Sequence, residues 1–398
     1  MTKKEFYHRI MSLLPIERKN TDFLEDVKCV YKEYISCVDA LDNSVFNNND
    51  AKLQIIKRIR DSINTIQTVI KKYMDGCQDD AYKVLKTSIL NQNGSLKINV
   101  ISIDKTEFTG KYFYRARKDD GTINTYKDMF HISNRRRDII KTQRYSVLGF
   151  PCLYLGNTIY DCWEEMNRPQ LDKLYVSAFK VVGKFTVYDL RKPKYEDFVN
   201  QDISEILERL VFVIACQFKV YNNDGCFKPE YIIPQLIMGL ILSSNRKKKE
   251  RECGPNSLAW GVAYTSTHLS ADYPYNEDYI ENIALPVVDT ENEYCGFLTS
   301  LFMISDPILT SNEDLKKISK DAKCDKTNDV VDLNNFYEES VFGYIEKQLK
   351  NNTQYHQSSY LYFGGPDHVD VSANQGDYPL IIYSNDSWTV SIDDDVKP

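Results

Sequence analysis

The sequence predicts an α+β fold, in which a mixed, largely antiparallel sheet follows an α-helical N-terminal region. Helical periodicity dominates residues 1–97. From residue 98 the texture changes to short aromatic and β-branched runs: "KYFYRA", "PCLYLG", "KLYVSAFKVVG", "KFTVYDL", "WGVAYTST" and "IALPVV". Such runs read as strands, and helical stretches at 159–167, 202–220 and 232–243 lie between them. The chain therefore divides into a helical region (1–97), a mixed domain (98–310) and a C-terminal extension (311–398).

In the helical region, Leu53, Ile56, Ile59, Ile63, Ile66 and Ile70 recur at steps of three and four and draw one apolar stripe. The stripe packs against neighbouring helices or forms a self-association interface. A second, shorter pattern follows in "DDAYKVLKTSIL", and "NNND" at 47–50 and "NQNGS" at 91–95 read as turns. The charge run "NRKKKERECGPNS" at 245–257 reads as a solvated loop. Beyond 310, a helix around 335–350 and the short strands "SSYLYFGG" and "YPLIIYS" read as a tail packed on the main domain.

With 398 residues and 42% hydrophobic content the chain buries a sizeable core. A net charge of -7 disfavours nonspecific binding to nucleic acid or to an anionic membrane. It leaves room for a local basic pocket that takes a small anion. No secretory core is visible in "MTKKEFYHRIMSLLPIERKN", and no run reaches the ~18 apolar residues of a membrane span. The ten cysteines form no CxxC pair, and the five histidines form no HExxH. This pattern suits a reduced cytoplasmic protein without a structural metal.

Chemistry has to be sought in scattered residues, because no Walker A, GxGxxG or GxSxG motif is present. In "FYRARKDD" at 113–120, Arg115 and Arg117 share one face of a strand. Arg115 is either an exposed strand arginine paired with a carboxylate or a fork that grips a phosphate or carboxylate ligand. Arg144 is a second candidate for an anion contact.

In the window 129–169, a strand Cys152–Leu155 runs through Gly156-Asn157 into a helix from about 159. Ile159, Cys162, Trp163 and Met166 form that helix's apolar face. Glu164 falls opposite, four residues before Arg168, in position for a surface ion pair. Glu165 lies at the border of the apolar face, where a carboxylate needs a reason. In "WGVAYTSTH", alternation places Trp260, Val262, Tyr264, Ser266 and His268 on one face, and Ser266 reads as a plain strand hydroxyl from pattern alone.

The order "FYRAR", "MFHIS", "QRYSVLGFPCLYLG", "CWEE", "GVAYTS" resembles the RES-domain family, over roughly 105–310. "NIALPVV" followed by "YCGFLTSLFMISDP" looks like the end of such a domain. The resemblance implies a fold similar to ADP-ribosyltransferases and a toxin that cleaves the nicotinamide–ribose bond of NAD+ by hydrolysis or phosphorolysis. It implies Arg115, Glu165 and Ser266 as the catalytic set, with Arg144, Tyr154 and Tyr264 lining the same pocket. NAD+ is then the substrate, phosphate an optional co-substrate, and a neutralising antitoxin the partner, with no metal required. Many members carry an arginine near the family serine; here Thr267-His268 follow it. Two rival readings are an ADP-ribosyltransferase that modifies a macromolecule and a catalytically idle binding module.

Overall fold

The structure, a computed structural model, describes residues 1–89, 111–183, 185–249, 259–268, 281–288, 292–309, 337–338, 340–357, 380–384 and 387–391. Helices α1 (Lys3–Met11), α2 (Phe23–Asp39), α3 (Asn49–Met74) and α4 (Gln78–Ile89) form the N-terminal layer. Side chains cap three of them: Thr2 accepts from Glu5 N, Asp22 from Leu24 N, and Asn48 from Ala51 N.

The apolar stripe of α3 is Ile55, Ile59, Ile63, Ile66, Val69 and Ile70, all buried, whereas Leu53 is 64% exposed. The difference is one of phase. Each step of three residues falls about 60° short of a full turn, so two such steps carry Leu53 away from the face of Ile59. The stripe packs on α2, on α7 (Ile203–Cys216) and on α8 (Ile232–Lys249), all within the same chain. Tyr31 and Tyr34 pin α2 to α7 by donating to the carbonyls of Val211 (2.7 Å) and Leu207 (2.5 Å). Helix α8 extends through 245–249, so the start of the basic run is helical rather than loop, and 250–258 lie outside the described residues.

The predicted strands form β1 (Tyr112–Lys118), β2 (Cys152–Gly156), β3 (Leu174–Val181), β4 (Tyr188–Leu190), β5 (Val262–Tyr264) and β6 (Asn282–Pro286). Strands β7 (Phe302–Ser305), β8 (Ile308–Leu309) and β9 (Tyr355–Gln357) complete a sheet of order β4-β5-β6-β2-β1-β3-β7-β9, with β8 beside β3. Pairing is parallel between β4 and β5 and antiparallel between all other neighbours described. A separate hairpin, β10 (Leu380–Ser384) and β11 (Ser387–Ser391), takes up much of "YPLIIYS", while "SSYLYFGG" lies outside the described residues.

Three apolar clusters cover the sheet. The largest joins the N-terminal layer, α7 and α8 to Cys152, Tyr188, Val262, Tyr264 and Ala284. The second fills the opposite face, with Phe113, Leu153, Phe179, Ile283 and Phe302. In the third, Tyr114, Val176 and Ala178 pack under α5 (Ile159–Glu165) and α10 (Val341–Asn352). The described residues between 337 and 357 thus pack on the sheet. Short helices α6 (Tyr195–Asn200) and α9 (Gly296–Thr299) sit in connections. No described helix is long and apolar enough to cross a membrane, and the eight described cysteines are free thiols.

Candidate functional site

The sheet has a seam. Strand β1 pairs with β3 along its whole length, from Tyr112↔Lys180 to Lys118↔Leu174, and β2 pairs with β6 from Cys152↔Pro286 to Gly156↔Asn282. Between β1 and β2 there is one register pair, Tyr114↔Gly156. Beyond it the strands part, and a cleft of about 520 Å³ opens between Arg115 and Ala116 of β1 and Cys152, Tyr154 and Leu155 of β2. That volume suits a small-molecule ligand.

Arg115 and Arg117 do share a face, because both reach the following loop. Arg117 Nη1 donates to Asp128 O (2.5 Å), and Arg115 Nη1 donates to Met129 O (3.1 Å) and to Phe130 O. The loop is fixed by His131, which is fully buried. Its Nδ1–H donates to Ile132 O (2.8 Å) and its Nε2 accepts from Cys295 N (3.0 Å). Burial pushes this imidazole down to about 4, so it is a neutral structural pin. Burial, with the charge of Arg117, lowers Arg115 to about 10, which leaves it cationic at neutral pH. Its Nε and Nη2 bond no described residue and remain available at the cleft.

Helix α5 carries Asp161, Glu164 and Glu165, and the fold treats each differently. Thr158 caps the helix by accepting from Asp161 N (3.0 Å). The Asp161 carboxyl is fully buried, and among the described residues neither oxygen has a hydrogen-bond partner. Burial, reinforced by the nearby carboxylates, pushes it well above the usual range and favours the neutral acid.

Glu164 pairs with Arg168 (2.8 Å) as expected, but the carboxylate is buried rather than on the surface. The reason lies in the chain after the helix. Asn167 (φ 59°) and Arg168 (φ 51°) adopt the left-handed region and stop the helix. Arg168 then folds back over Glu164 and over the Trp163 ring (5.5 Å).

Glu165 is left as the carboxylate that opens onto the cleft, 30% exposed, beside Cys162 and Met166. Cys162 and Met166 therefore line the cleft while also packing on the third cluster, as the expected apolar face requires. Asn282 Nδ2 donates to Glu165 Oε1 (3.2 Å), and His268 Nε2 lies 3.7 Å from Oε2. Gly156 makes this corner possible: a Cβ there would meet Cys162 Sγ at 2.7 Å and Asn282 Oδ1 at 3.2 Å.

The remaining predicted residues take distinct places. Tyr154 lines the cleft as a ring wall, because its hydroxyl is held by Ser146 Oγ (3.1 Å) and by the amide of Tyr145 (3.2 Å). Tyr264 also lines it and packs on Tyr145 (4.7 Å between centroids). Arg144 is buried in the wall. Its Nη1 donates to Cys216 O (3.2 Å) and Phe218 O (3.0 Å), and its Nη2 to Thr267 Oγ1 (2.7 Å). It brings charge to the cleft while bracing the wall.

Ser266 is fully buried and does not line the cleft; its hydroxyl accepts from His268 N (3.1 Å). The expected single face from Trp260 to His268 does not hold either. Trp260 packs in the second cluster against Phe297 (3.8 Å), opposite the side of Val262 and Tyr264. The ladder covers only Val262–Tyr264, and strict alternation lapses outside it.

Among the cleft residues that escaped sequence reading are Tyr231, Lys228 and Asn282. Tyr231 sits between cations, with Arg144 at 5.2 Å and Lys228 at 5.7 Å from its ring. Asn282 had a signal in the sequence, as a polar residue opening the apolar strand "NIALP". It lies opposite both Gly156 and Tyr264, in the middle of the cleft floor.

Across 314 residues the chain is 30% identical to a protein of Bacillus subtilis (strain 168) named "Putative toxin YopC", covering 74% of this chain and 68% of that one. The chain belongs to the YopC family. No protein-family model and no solved structure matches it, so the cleft of this YopC relative is described from its own geometry.

Proposed function

We propose that the chain is a toxin of the RES-domain type that cleaves the nicotinamide–ribose bond of NAD+. The observation that carries this reading is the seam. It sets a guanidinium with free donors, Arg115, and the open carboxylate of α5, Glu165, on one cleft of about 520 Å³. The order of the RES-like motifs and the name of the YopC relative support it.

The chemistry follows from the residue types. Nicotinamide leaves as a neutral base and takes the bonding electron pair, so the ribose carbon becomes oxocarbenium-like, as in glycoside cleavage. Glu165 stabilises that positive charge from its place on the cleft wall, with Asn282 fixing one of its oxygens. Arg115 grips the diphosphate through Nε and Nη2 while the main chain fixes Nη1. Tyr154 and Tyr264 wall the rings of the substrate. Ser266 acts through the turn that presents His268 beside Glu165. Attack by water yields ADP-ribose and a proton; attack by phosphate yields ADP-ribose phosphorylated at the carbon that nicotinamide left. Growth inhibition then follows from loss of NAD+, and a neutralising protein is the expected partner.

Purified protein incubated with NAD+, with and without phosphate, tests the reading. Free nicotinamide with an unmodified macromolecular fraction supports it. Labelled macromolecules would make the chain an ADP-ribosyltransferase, and intact NAD+ would make it a binding module.

A further inference from the structure

No described residue of 337–352 lines the cleft, yet the helix in this segment holds the one that carries Glu165. The first amides of any helix lack partners within it. In α5, Thr158 takes the amide of Asp161, and Glu346 Oε1 takes that of Ile159 (2.9 Å). The same oxygen accepts from Tyr337 O–H (2.5 Å). Phe342, one helical turn before Glu346, seats its ring against Tyr160 (5.1 Å) and Trp163 (5.4 Å) of α5.

The segment is shaped for this contact. Ser340 caps α10 by accepting from Gly343 N (3.2 Å). A Cβ on Gly343 would lie 2.4 Å from Tyr337 O, so glycine lets the chain at 337–338 lie against the helix. Glu346 is only 7% exposed, and burial raises its carboxyl to about 7. A carboxyl buried at that cost outside the cleft requires a role.

We infer that Glu346 is a positioning residue: by capping α5 at Ile159 it sets the axial place and rotation of the helix, and through them the Glu165 carboxylate. The inference rests on the reading of Glu165 given above. Helix α5 spans seven residues, so its last residue lies about 9 Å from its first and a displaced start moves Glu165 as a rigid extension. Misplacing a reacting group by about 1 Å costs on the order of 100-fold in rate.

The full chain is compared with its Glu346→Ala, Glu346→Gln and Tyr337→Phe variants. Alanine removes the acceptor; glutamine keeps a carbonyl oxygen at Oε1. For nicotinamide release, Glu346→Ala lowers kcat about 10- to 100-fold with KM nearly unchanged, and Glu346→Gln restores kcat to within about 3-fold. Tyr337→Phe, which removes one donor to the same oxygen, lowers kcat a few-fold with its melt retained. It keeps the question answerable if alanine prevents folding. Equal loss in the alanine and glutamine variants, or normal kcat in alanine or Tyr337→Phe, overturns the inference.

Hydrogen exchange of the Ile159–Glu165 amides reads the cap without any substrate. Protection of α5 falls at least about 10-fold in Glu346→Ala and is kept in Glu346→Gln, while α7 is unaffected in both. Unchanged protection of α5 in the alanine variant overturns the inference even if the chain proves inactive on NAD+. Lost protection in a chain that releases no nicotinamide keeps the cap and removes only the NAD+ reading.

Discussion

Two helical layers lie on the sheet, and they relate to the cleft in opposite ways. The N-terminal layer is the larger. It contributes residues from Phe6 to Ile89 to the main cluster and buries the whole stripe of α3, yet no residue of 1–89 lines the cleft. The C-terminal helix α10 is a single element, and it touches the helix that bears Glu165. The difference teaches that the amount of apolar surface a segment buries says little about its distance from the chemistry. The large layer holds the β4-β5-β6-β2 half of the sheet in shape. The small one sets a side chain.

The sharpest way to break this comparison is at α5 itself. Glu165→Gln should reduce NAD+ cleavage by at least about 1,000-fold, whereas Glu164→Gln keeps most of it, because Glu164 is already neutralised by Arg168. Rates from purified variants decide the point. A dead Glu164 variant beside an active Glu165 variant would reverse the assignment of the two carboxylates.

The next largest effect belongs to the N-terminal layer. Ile66 is fully buried on α3, and Ile66→Ala should cost about 2–5 kcal/mol of stability with kcat unchanged in the folded fraction. Denaturant melts and kinetics on the same sample test this. A kcat loss at full folding would tie the large layer to the cleft after all.

Arg115→Lys keeps the charge and loses the fork. It should cost about 2–4 kcal/mol, roughly 30- to 1,000-fold in kcat/KM, most of it as raised KM. The lysine cannot hold the carbonyls of Met129 and Phe130 and a diphosphate together. Near-normal kinetics would return Arg115 to a purely structural tie.

The smallest of these effects sharpens the role of α10. The Glu346 carboxyl is raised from 4.5 to about 7, so the folded state holds its proton more tightly than the unfolded chain does. Stability is therefore undiminished below pH 4.5, falls as pH rises towards 7, and is lower above it by on the order of 3 kcal/mol. Glu346→Gln removes the titration, so its stability advantage over the parent should grow between pH 4.5 and 7 and then level off. Urea melts at pH 5 and pH 8 that differ equally in the two proteins would contradict this origin.

Much of the fold was legible because its signals are local. Alternating aromatic and β-branched residues marked β1 to β6, and steps of three and four marked α3. Glu165 stood out because a helix places it at the edge of an apolar face, and that edge is the cleft. What stayed hidden depends on distant chain. Leu53 drops out of the stripe because phase accumulates. Glu164 is buried because two left-handed residues beyond the helix return Arg168 over it. Ser266 falls behind the cleft because its strand ends at Tyr264. Asn282 and Tyr231 enter the site from elements more than a hundred and sixty and a hundred residues along from β1, respectively, and no local window reports such a meeting.

The single rung Tyr114↔Gly156 also makes two inner margins of the sheet face each other across the cleft. Chain at Arg115 and Ala116 and at Cys152, Tyr154 and Leu155 that would have joined in a ladder instead borders a cavity. A bound molecule can meet amides and carbonyls whose positions are set by β3 and β6 on their far sides. Such recognition is carried by the backbone and is indifferent to side-chain identity. Replacing the cleft's side chains one at a time therefore erodes grip and reactivity but leaves a residual affinity. A proline placed within these margins removes an amide that no ordinary side-chain replacement touches.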